Sequence, residues 1–245
     1  KHLLDASDRG ASDLTVAGKL FCDRFPPDKI PALPTCGIFL RREFPLKNNL
    51  EFPEGIHPCE DGLFSHFVLA LTEKISFCPE AVYHYRQHEQ GNHHQIRKRT
   101  ADILPMIPRW LSLIEEFYEQ RHLWKRKAGH LVRFIEHEPF ELRLLGMPFS
   151  PPEQEILYSI IRDFLTAHCT AAECRRASLH LPFRLLLQSS GFSDFGRRLR
   201  RAGKNTGIRR KLLHFCPVPS WRRNGRAQLR QVREQLEEIR RNITF

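Results

Sequence analysis

The sequence predicts an α/β region of short strands followed by a mostly α-helical region. Up to residue 95, short apolar runs alternate with turns rich in proline and glycine, and one apolar helix lies among them. From residue 96 onward, apolar residues recur at intervals of three and four, which is the spacing of amphipathic helices. We therefore predict two domains, residues 1–95 and residues 96–245.

Short apolar runs indicate the strands of the first domain. Residues 36–40 predict a strand or a buried turn, residues 75–78 a strand that ends at a proline, and residues 81–86 a further strand with alternating side chains. Between them, residues 62–74 carry apolar side chains on one face at helical spacing and predict a helix. Residues 12–25 predict one short helix.

The second domain is expected to be built from helices. Residues 101–120 and 124–137 are two candidates, and prolines interrupt the first of them near positions 105 and 108. Two capping boxes, at Ser150 and Thr170, predict helices that run through residue 168 and towards residue 187. Residues 229–243 predict a final amphipathic helix, which is a candidate packing or oligomer surface.

The charge of the chain favours anionic partners. Its 245 residues carry a formal net charge of +11, and 41% of them are hydrophobic, which is sufficient for a core. No run of apolar residues is long enough to span a bilayer, so no membrane span is predicted. The seven cysteines form no Cys-x-x-Cys pair, so we expect neither a disulfide framework nor a structural zinc site, and we predict a cytoplasmic location.

The most informative stretch, residues 52–64, places two carboxylates where an apolar helix begins. Glu60 and Asp61 follow a Pro-Glu-Gly corner and open the helix. Acidic side chains in a first turn interact favourably with the helix dipole, so a purely structural role is one interpretation. The alternative is that one carboxylate faces a cleft and removes a proton from a substrate.

Four motifs occur in order between residues 34 and 92. They are Arg41-Arg42-Glu43-Phe44, Leu50-Glu51-Phe52-Pro53-Glu54-Gly55, Glu60-Asp61-Gly62-Leu63-Phe64 and Tyr83-His84-Tyr85-Arg86-Gln87-His88. In this order and spacing they resemble the C-terminal half of the catalytic domain of bacterial family 2 glycosyltransferases. The resemblance covers about a quarter of the chain.

The resemblance implies a partial GT-A fold, which is a nucleotide-sugar-binding α/β sandwich, with an incomplete sheet. It implies inverting transfer of a sugar from a nucleotide-sugar donor to a saccharide or lipid-linked acceptor, in cell-surface polysaccharide or lipopolysaccharide synthesis. Asp61 matches the general base of the family, and Glu60 is its neighbour. Tyr85, Arg86 and His88 are implied to contact the donor diphosphate or the acceptor. The alternative is that Tyr83 and Tyr85 are core residues and that the other side chains of this motif are solvated.

The chain departs from that family in two respects. Ile38 stands where the family usually carries a lysine, and no Asp-x-Asp metal motif is present. A divalent cation, Mg²⁺ or Mn²⁺, is implied for the full-length enzyme, so we expect a truncated chain that lacks the donor-binding half and the metal ligands. The histidines at positions 84, 88, 93 and 94 do not have the spacing of a metal site, and no metal ligand is predicted.

A second hypothesis depends on the basic residues of the C-terminal domain. Arginines and lysines cluster at residues 197–201, 209–211 and 222–223. They suit a non-catalytic module that binds anionic lipid, nucleic acid or a protein partner, or an enzyme attached peripherally to the inner face of the cell membrane. No helix-turn-helix, RNP or zinc-finger pattern accompanies them, so recognition of nucleic-acid bases is not supported.

Overall fold

The computed structural model describes residues 2–17, 30–82 and 99–212 and the isolated residues 96, 230 and 234. This part of the chain is mostly helical and contains a small three-stranded mixed sheet, so the expected order of an α/β region and then helices is present in outline. The expected strand at residues 81–86 lies outside the described residues from 83 onward. So does the expected final helix at 229–243, apart from positions 230 and 234.

The chain divides into two compact units, residues 1–138 and residues 139–245. The domain boundary expected at residue 96 lies inside the first unit. This unit contains the sheet and the helices up to residue 135, whereas the described part of the second unit is helical.

The sheet of the first unit has one central strand. Strand β1 (Leu14–Ala17) pairs antiparallel with β2 (Ile38–Leu40) and parallel with β3 (Ile75–Cys78). The strand order is therefore β2-β1-β3. Strands β2 and β3 confirm the predictions made from residues 36–40 and 75–78, and a 3₁₀ turn at Thr35–Gly37 precedes β2.

The prediction of a helix over residues 12–25 is wrong for the described part of this range, because residues 14–17 form β1. Leu14, Thr15 and Val16 are all buried, and neighbouring strands bond both edges of the segment. Thr15 and Val16 are also β-branched, a class that favours strands. Pairing with distant segments has therefore overridden a weak local helix signal.

The first unit contains the helices α1 (His2–Gly10), α2 (Glu43–Asn48), α3 (Glu60–Leu71), α4 (Thr100–Ile103), α5 (Met106–Gln120) and α6 (Trp124–Ile135). Helix α1 packs against β1 and β3 of the sheet. Helix α3 confirms the helix predicted over residues 62–74 only as far as Leu71, and residues 72–74 are not helical. The predicted break at Pro105 separates α4 from α5, whereas Pro108 lies in the first turn of α5, where its missing N–H is tolerated.

Helix α3 lies in the core of the first unit. Every residue from position 62 to position 70 is buried, and the helix contacts both α5 and α6. Phe67 stacks on Phe117 of α5 with ring centroids 4.2 Å apart. Burying a side chain of this size stabilises a fold by about 1.5–3 kcal/mol. The packing around α3 therefore fixes the position of its first turn.

The second unit contains the helices α7 (Pro151–His168), α8 (Ala171–Ala177), α9 (Leu181–Gln188) and α10 (Phe192–Leu212). Both predicted capping boxes are confirmed. The Ser150 N–H donates to Glu153 at 2.7 Å, and the Thr170 N–H donates to Glu173 at 2.8 Å. The helix expected to run towards residue 187 is divided between α8 and α9, because Pro182 lacks the N–H that a continuous helix would bond to the Ser178 carbonyl.

Helix α6 continues into a π-helix, Glu136–Leu145, so the helix predicted over residues 124–137 is confirmed as an α-helix only to Ile135. Within the second unit, the ring centroid of Phe140 lies 5.0 Å from that of Phe183 and 6.2 Å from that of Phe195. These three fully buried rings form part of the core of the second unit.

Candidate functional site

A sharp corner brings the chain to the start of α3. Gly55 adopts a left-handed φ of 66°, and Cys59, the residue before the helix, has a φ of 93°. The latter conformation costs a non-glycine residue on the order of 1–3 kcal/mol, and strain of this kind concentrates at functional sites. Phe52 stacks on Phe64 of α3 with ring centroids 4.1 Å apart. The corner is therefore tied to the helix that follows it.

The two predicted carboxylates occupy the first two positions of α3 and have different partners. Asp61 Oδ1 accepts a hydrogen bond from the Thr35 hydroxyl at 2.8 Å. Glu60 Oε1 lies 3.3 Å from His57 Nδ1, and these two side chains are 36% and 44% exposed respectively. Glu60 Oε2 is buried and has no hydrogen-bond partner within the described part of the chain.

Neither Glu60 nor Asp61 accepts a hydrogen bond from a backbone N–H of α3, so neither caps the helix in the geometric sense. The interaction with the helix dipole remains, because both charges lie in the first turn. Asp61 is half-buried, and its Oδ2 receives no hydrogen bond from the described residues. A carboxylate with one such oxygen is able to accept a proton, which is the property that a general base needs.

Three residues beside the pair were not predicted from the sequence. Thr35 lies in the turn before β2, and Glu138 lies beyond α6. A Cβ atom on Gly62 would lie 3.0 Å from Glu138 Oε1, so this buried carboxyl group lies against the first turn of α3. The sequence could have indicated His57 as a partner of Glu60, since it precedes Glu60 by three residues. No local sequence pattern marked Thr35 or Glu138.

Three predicted substrate-binding residues lie outside the described residues: Tyr85, Arg86 and His88. Both arginines of the first motif lie within the described residues. Arg41 pairs with Asp8 and donates to the Ser12 carbonyl at 3.0 Å. This exposed pair links β2 to the start of the chain and contributes about 0–1 kcal/mol.

Two buried histidines stack on each other beside α3. The rings of His66 on α3 and His130 on α6 have centroids 4.3 Å apart and planes 10° apart. His66 Nδ1 donates to the Pro31 carbonyl at 3.2 Å, and the Tyr118 hydroxyl lies 3.1 Å from His66 Nε2. His130 Nε2 donates to the Ile30 carbonyl at 3.1 Å. Because carbonyl oxygens only accept, each ring carries a proton on the nitrogen that faces its carbonyl.

Burial lowers the pKa of both histidines. Loss of solvation is the main cause of the lowered pKa of His66, and the neighbouring His130 lowers it further. Burial, followed by the charge of Lys127, lowers the pKa of His130 to about 3. Both rings are therefore neutral at physiological pH. The sequence signal that could have found this cluster is the histidine at position 66 within an otherwise apolar helix.

Replacing Tyr118 by phenylalanine is expected to lower the free energy of unfolding by about 1–3 kcal/mol. Tyr118 is fully buried, and the change leaves His66 Nε2 as a buried acceptor without its donor. Urea denaturation followed by circular dichroism measures the effect. The control is Ser112→Ala, which removes an exposed hydroxyl from α5 and should change stability by less than about 0.5 kcal/mol. Equal losses in the two variants would contradict this role of the Tyr118 hydroxyl.

The basic cluster at residues 197–201 lies on α10. Phe195 and Leu199 are buried on one face of this helix. The exposed face carries Arg197, Arg200 and Arg201. Arg198 donates to Asp194 at 2.8 Å, and this hydrogen bond is the main cause of the lowered pKa of Asp194. Arg197 and Arg200 also line an open groove of about 440 Å³ beside the start of α7.

The described residues show neither a membrane-spanning helix nor a metal cluster. None of the helices in this part of the chain is both long and apolar enough to cross a membrane. Nor do three or more histidine, cysteine or acidic side chains gather among these residues in a way that could hold a metal ion.

No protein-family model, no curated protein and no solved structure matches the chain. The candidate site therefore depends on the geometry around Asp61 and on the four sequence motifs.

Proposed function

We propose that the chain is the C-terminal part of the catalytic domain of an inverting family 2 glycosyltransferase of GT-A fold, followed by a helical region. The enzyme transfers a sugar from a nucleotide-sugar donor to a saccharide or lipid-linked acceptor in the synthesis of surface polysaccharide or lipopolysaccharide. The observation that carries the proposal is the position of Asp61. This residue lies in the first turn of a buried helix, with one oxygen held by Thr35 and the other without a hydrogen bond from the described residues.

In the proposed reaction, the acceptor hydroxyl attacks the anomeric carbon of the donor. A bond forms between the acceptor oxygen and that carbon, and the bond from the carbon to the diphosphate oxygen breaks. The nucleoside diphosphate leaves with the bonding electron pair, while the hydroxyl proton passes to Asp61 Oδ2. Transition states of this kind have oxocarbenium character, and general base catalysis contributes typically about 10²–10⁴-fold to the rate.

The neighbours of Asp61 have separate roles in the proposal. Glu60 supports the corner before α3, because its Oε1 is already engaged with His57 at 3.3 Å. Thr35 holds Asp61 Oδ1 and so orients the carboxylate. The donor diphosphate or the acceptor is contacted by Tyr85, Arg86 and His88.

A divalent cation, Mg²⁺ or Mn²⁺, belongs to the proposal, since such an ion stabilises the charge of a leaving diphosphate. The described residues do not supply a ligand set for this ion. We also propose that the enzyme is cytoplasmic and lies at the inner face of the cell membrane.

Consumption of nucleotide sugars by the intact gene product tests this function. Release of a nucleoside diphosphate that requires Mg²⁺ or Mn²⁺, and that increases with a saccharide or lipid-linked acceptor, supports the proposal. A folded protein that releases no nucleoside diphosphate from any donor of a broad panel contradicts it.

The exposed arginines of α10 favour attachment to an anionic membrane surface. We expect the chain to sediment with liposomes that contain anionic lipid, and the bound fraction to fall as the salt concentration rises. Replacing Arg197, Arg200 and Arg201 by glutamine should weaken binding roughly a hundredfold, at about 1 kcal/mol per basic residue.

Two comparisons control this liposome experiment. Arg175→Gln with Arg176→Gln removes two exposed arginines from α8 and should weaken binding less than the changes on α10. Equal sedimentation with neutral liposomes, or binding that does not respond to salt, contradicts the electrostatic attachment.

A further inference from the structure

The segment that leads to Thr35 has no regular secondary structure, yet two of its side chains lie in the core. Ile30 and Leu33 are 1% and 2% exposed, and residues 30–34 form neither a helix nor a strand. Pro31 and Pro34 have no backbone N–H, so this stretch is poorly suited to an interior strand. Side chains of neighbouring helices bond three of its backbone groups, which are the Ile30 carbonyl, the Pro31 carbonyl and the Leu33 N–H.

Helix α3 supplies two of these contacts. The Leu33 N–H donates to Ser65 Oγ at 2.8 Å, and Ser65 in turn donates to the Gly62 carbonyl at 3.2 Å. His66 Nδ1 donates to the Pro31 carbonyl at 3.2 Å. Ser65 and His66 are both essentially inaccessible to solvent, so water does not compete for these bonds.

Helix α6 supplies a third contact through the other histidine of the stacked pair. His130 Nε2 donates to the Ile30 carbonyl at 3.1 Å, and its ring stacks on His66. The Ile30–Pro31 peptide region is thus bonded by two histidines from two different helices.

The order of these contacts along the segment is the reverse of their order along α3. As the chain advances from Pro31 to Thr35, its partners on α3 move back from His66 to Asp61. Asp61 and Ser65 are four residues apart and so lie on the same face of the helix. The segment therefore runs antiparallel to α3 and ends where the Thr35 hydroxyl meets Asp61.

We propose that Ser65, His66 and His130 are positioning residues for Asp61, which they hold through the segment of residues 30–35. They fix the backbone of this segment so that the Thr35 hydroxyl reaches Asp61 Oδ1, and this leaves Oδ2 for the proton of the acceptor. The inference depends on the proposed function only for what Asp61 does. The linkage itself, which is the set of hydrogen bonds that connects the segment to the Asp61 carboxylate, does not depend on the proposed function.

Burial keeps both histidines of this linkage neutral at physiological pH. His66 donates to the Pro31 carbonyl through Nδ1, and its Nε2 accepts from the Tyr118 hydroxyl of α5. The charged group that acts on His130 is Lys127 of the same helix, and it disfavours protonation further.

Nuclear magnetic resonance of the full chain tests the linkage at the Leu33 amide and the Asp61 carboxyl group. Ser65→Ala removes the acceptor of the Leu33 N–H. We expect hydrogen exchange at Leu33 to accelerate roughly tenfold and the Asp61 carboxyl carbon signal to shift. The matched control, Ser112→Ala, removes an exposed hydroxyl from α5 and should change neither.

Two variants of Thr35 distinguish the effect of its hydroxyl on Asp61 from the effect of its side-chain shape on packing. Thr35→Ser keeps the hydroxyl and should leave the Asp61 carboxyl signal in place, whereas Thr35→Val keeps the shape and should shift the signal. An Asp61 signal that stays unmoved in Ser65→Ala overturns the proposal. Equal shifts in the two Thr35 variants overturn it as well.

Kinetics of the intact gene product distinguish failure of this inference from failure of the proposed function. Ser65→Ala and Thr35→Val should lower kcat by roughly tenfold with little change in KM, and Thr35→Ser should retain kcat. An unchanged kcat with a shifted Asp61 signal overturns the positioning role. If the wild-type protein transfers no sugar, the proposed function fails, while the resonance experiment still decides the linkage.

Discussion

Asp61→Asn is expected to lower the kcat of the intact gene product by about 10²–10⁴-fold while the affinity for the donor stays nearly unchanged. The amide has nearly the shape of the carboxylate and can still accept from Thr35, but it cannot take up the acceptor proton. Single-turnover kinetics with a nucleotide sugar measure the chemical step, and calorimetric titration measures donor affinity.

Two further variants control this result. Asp102→Asn changes a carboxylate that is 59% exposed and paired with Arg99, and it should leave kcat unchanged. Glu60→Gln should lower kcat less than Asp61→Asn, because Glu60 Oε1 already has His57 as a partner. Near wild-type turnover in Asp61→Asn, or a larger loss in Glu60→Gln, would contradict the assignment of Asp61 as the base.

The free energy of unfolding is expected to fall as the pH drops below 6.5, because of His66 and His130. Both have a pKa below the ordinary value of 6.5 in the folded state, so the unfolded chain binds protons that the folded chain does not. The stability contributed by neutral burial is therefore complete above pH 6.5 and is lost on acidification. With a folded-state pKa of about 3, His130 alone accounts for a loss of about 2 kcal/mol at pH 5, and His66 adds a loss of the same sign.

Urea denaturation between pH 7.5 and pH 5 measures this loss of stability. His130→Gln keeps a donor near the position of Nε2 and removes one titrating group, so its stability should depend less steeply on pH. His122→Asn changes an exposed histidine whose φ of 52° suits asparagine, and it should keep the wild-type slope. A stability that is flat over this range, or a slope unchanged in His130→Gln, would contradict the neutral burial of the pair.

Local patterns predicted the elements whose determinants lie close together in the sequence. Helix α3 and strand β3 follow from the spacing of apolar residues and from the proline at position 79. The starts of α7 and α8 follow from capping boxes, which need only three intervening peptide units. Strand β1 was missed because its two partners come from other parts of the chain, and no local signal reports such pairing.

The residues of the candidate site that a local pattern marks were predicted, whereas those that only folding brings together were missed. Glu60 and Asp61 stand out because two acidic residues open an apolar helix, and the structure places both in its first turn. The hydroxyl that holds Asp61 comes from Thr35, 26 positions away in the sequence. His66 and His130 meet only because α3 and α6 pack together, and apolar periodicity carries no information about which polar side chains meet in a core.

The anomeric configuration of the transferred sugar tests the central claim most directly. Proton coupling constants of the product made by the intact gene product, compared with those of the donor, report this configuration. We predict the opposite configuration to the donor, formed by the wild-type protein and lost in Asp61→Asn. Retention of the donor configuration, or an inverted product formed at the wild-type rate by Asp61→Asn, would contradict a single displacement assisted by Asp61.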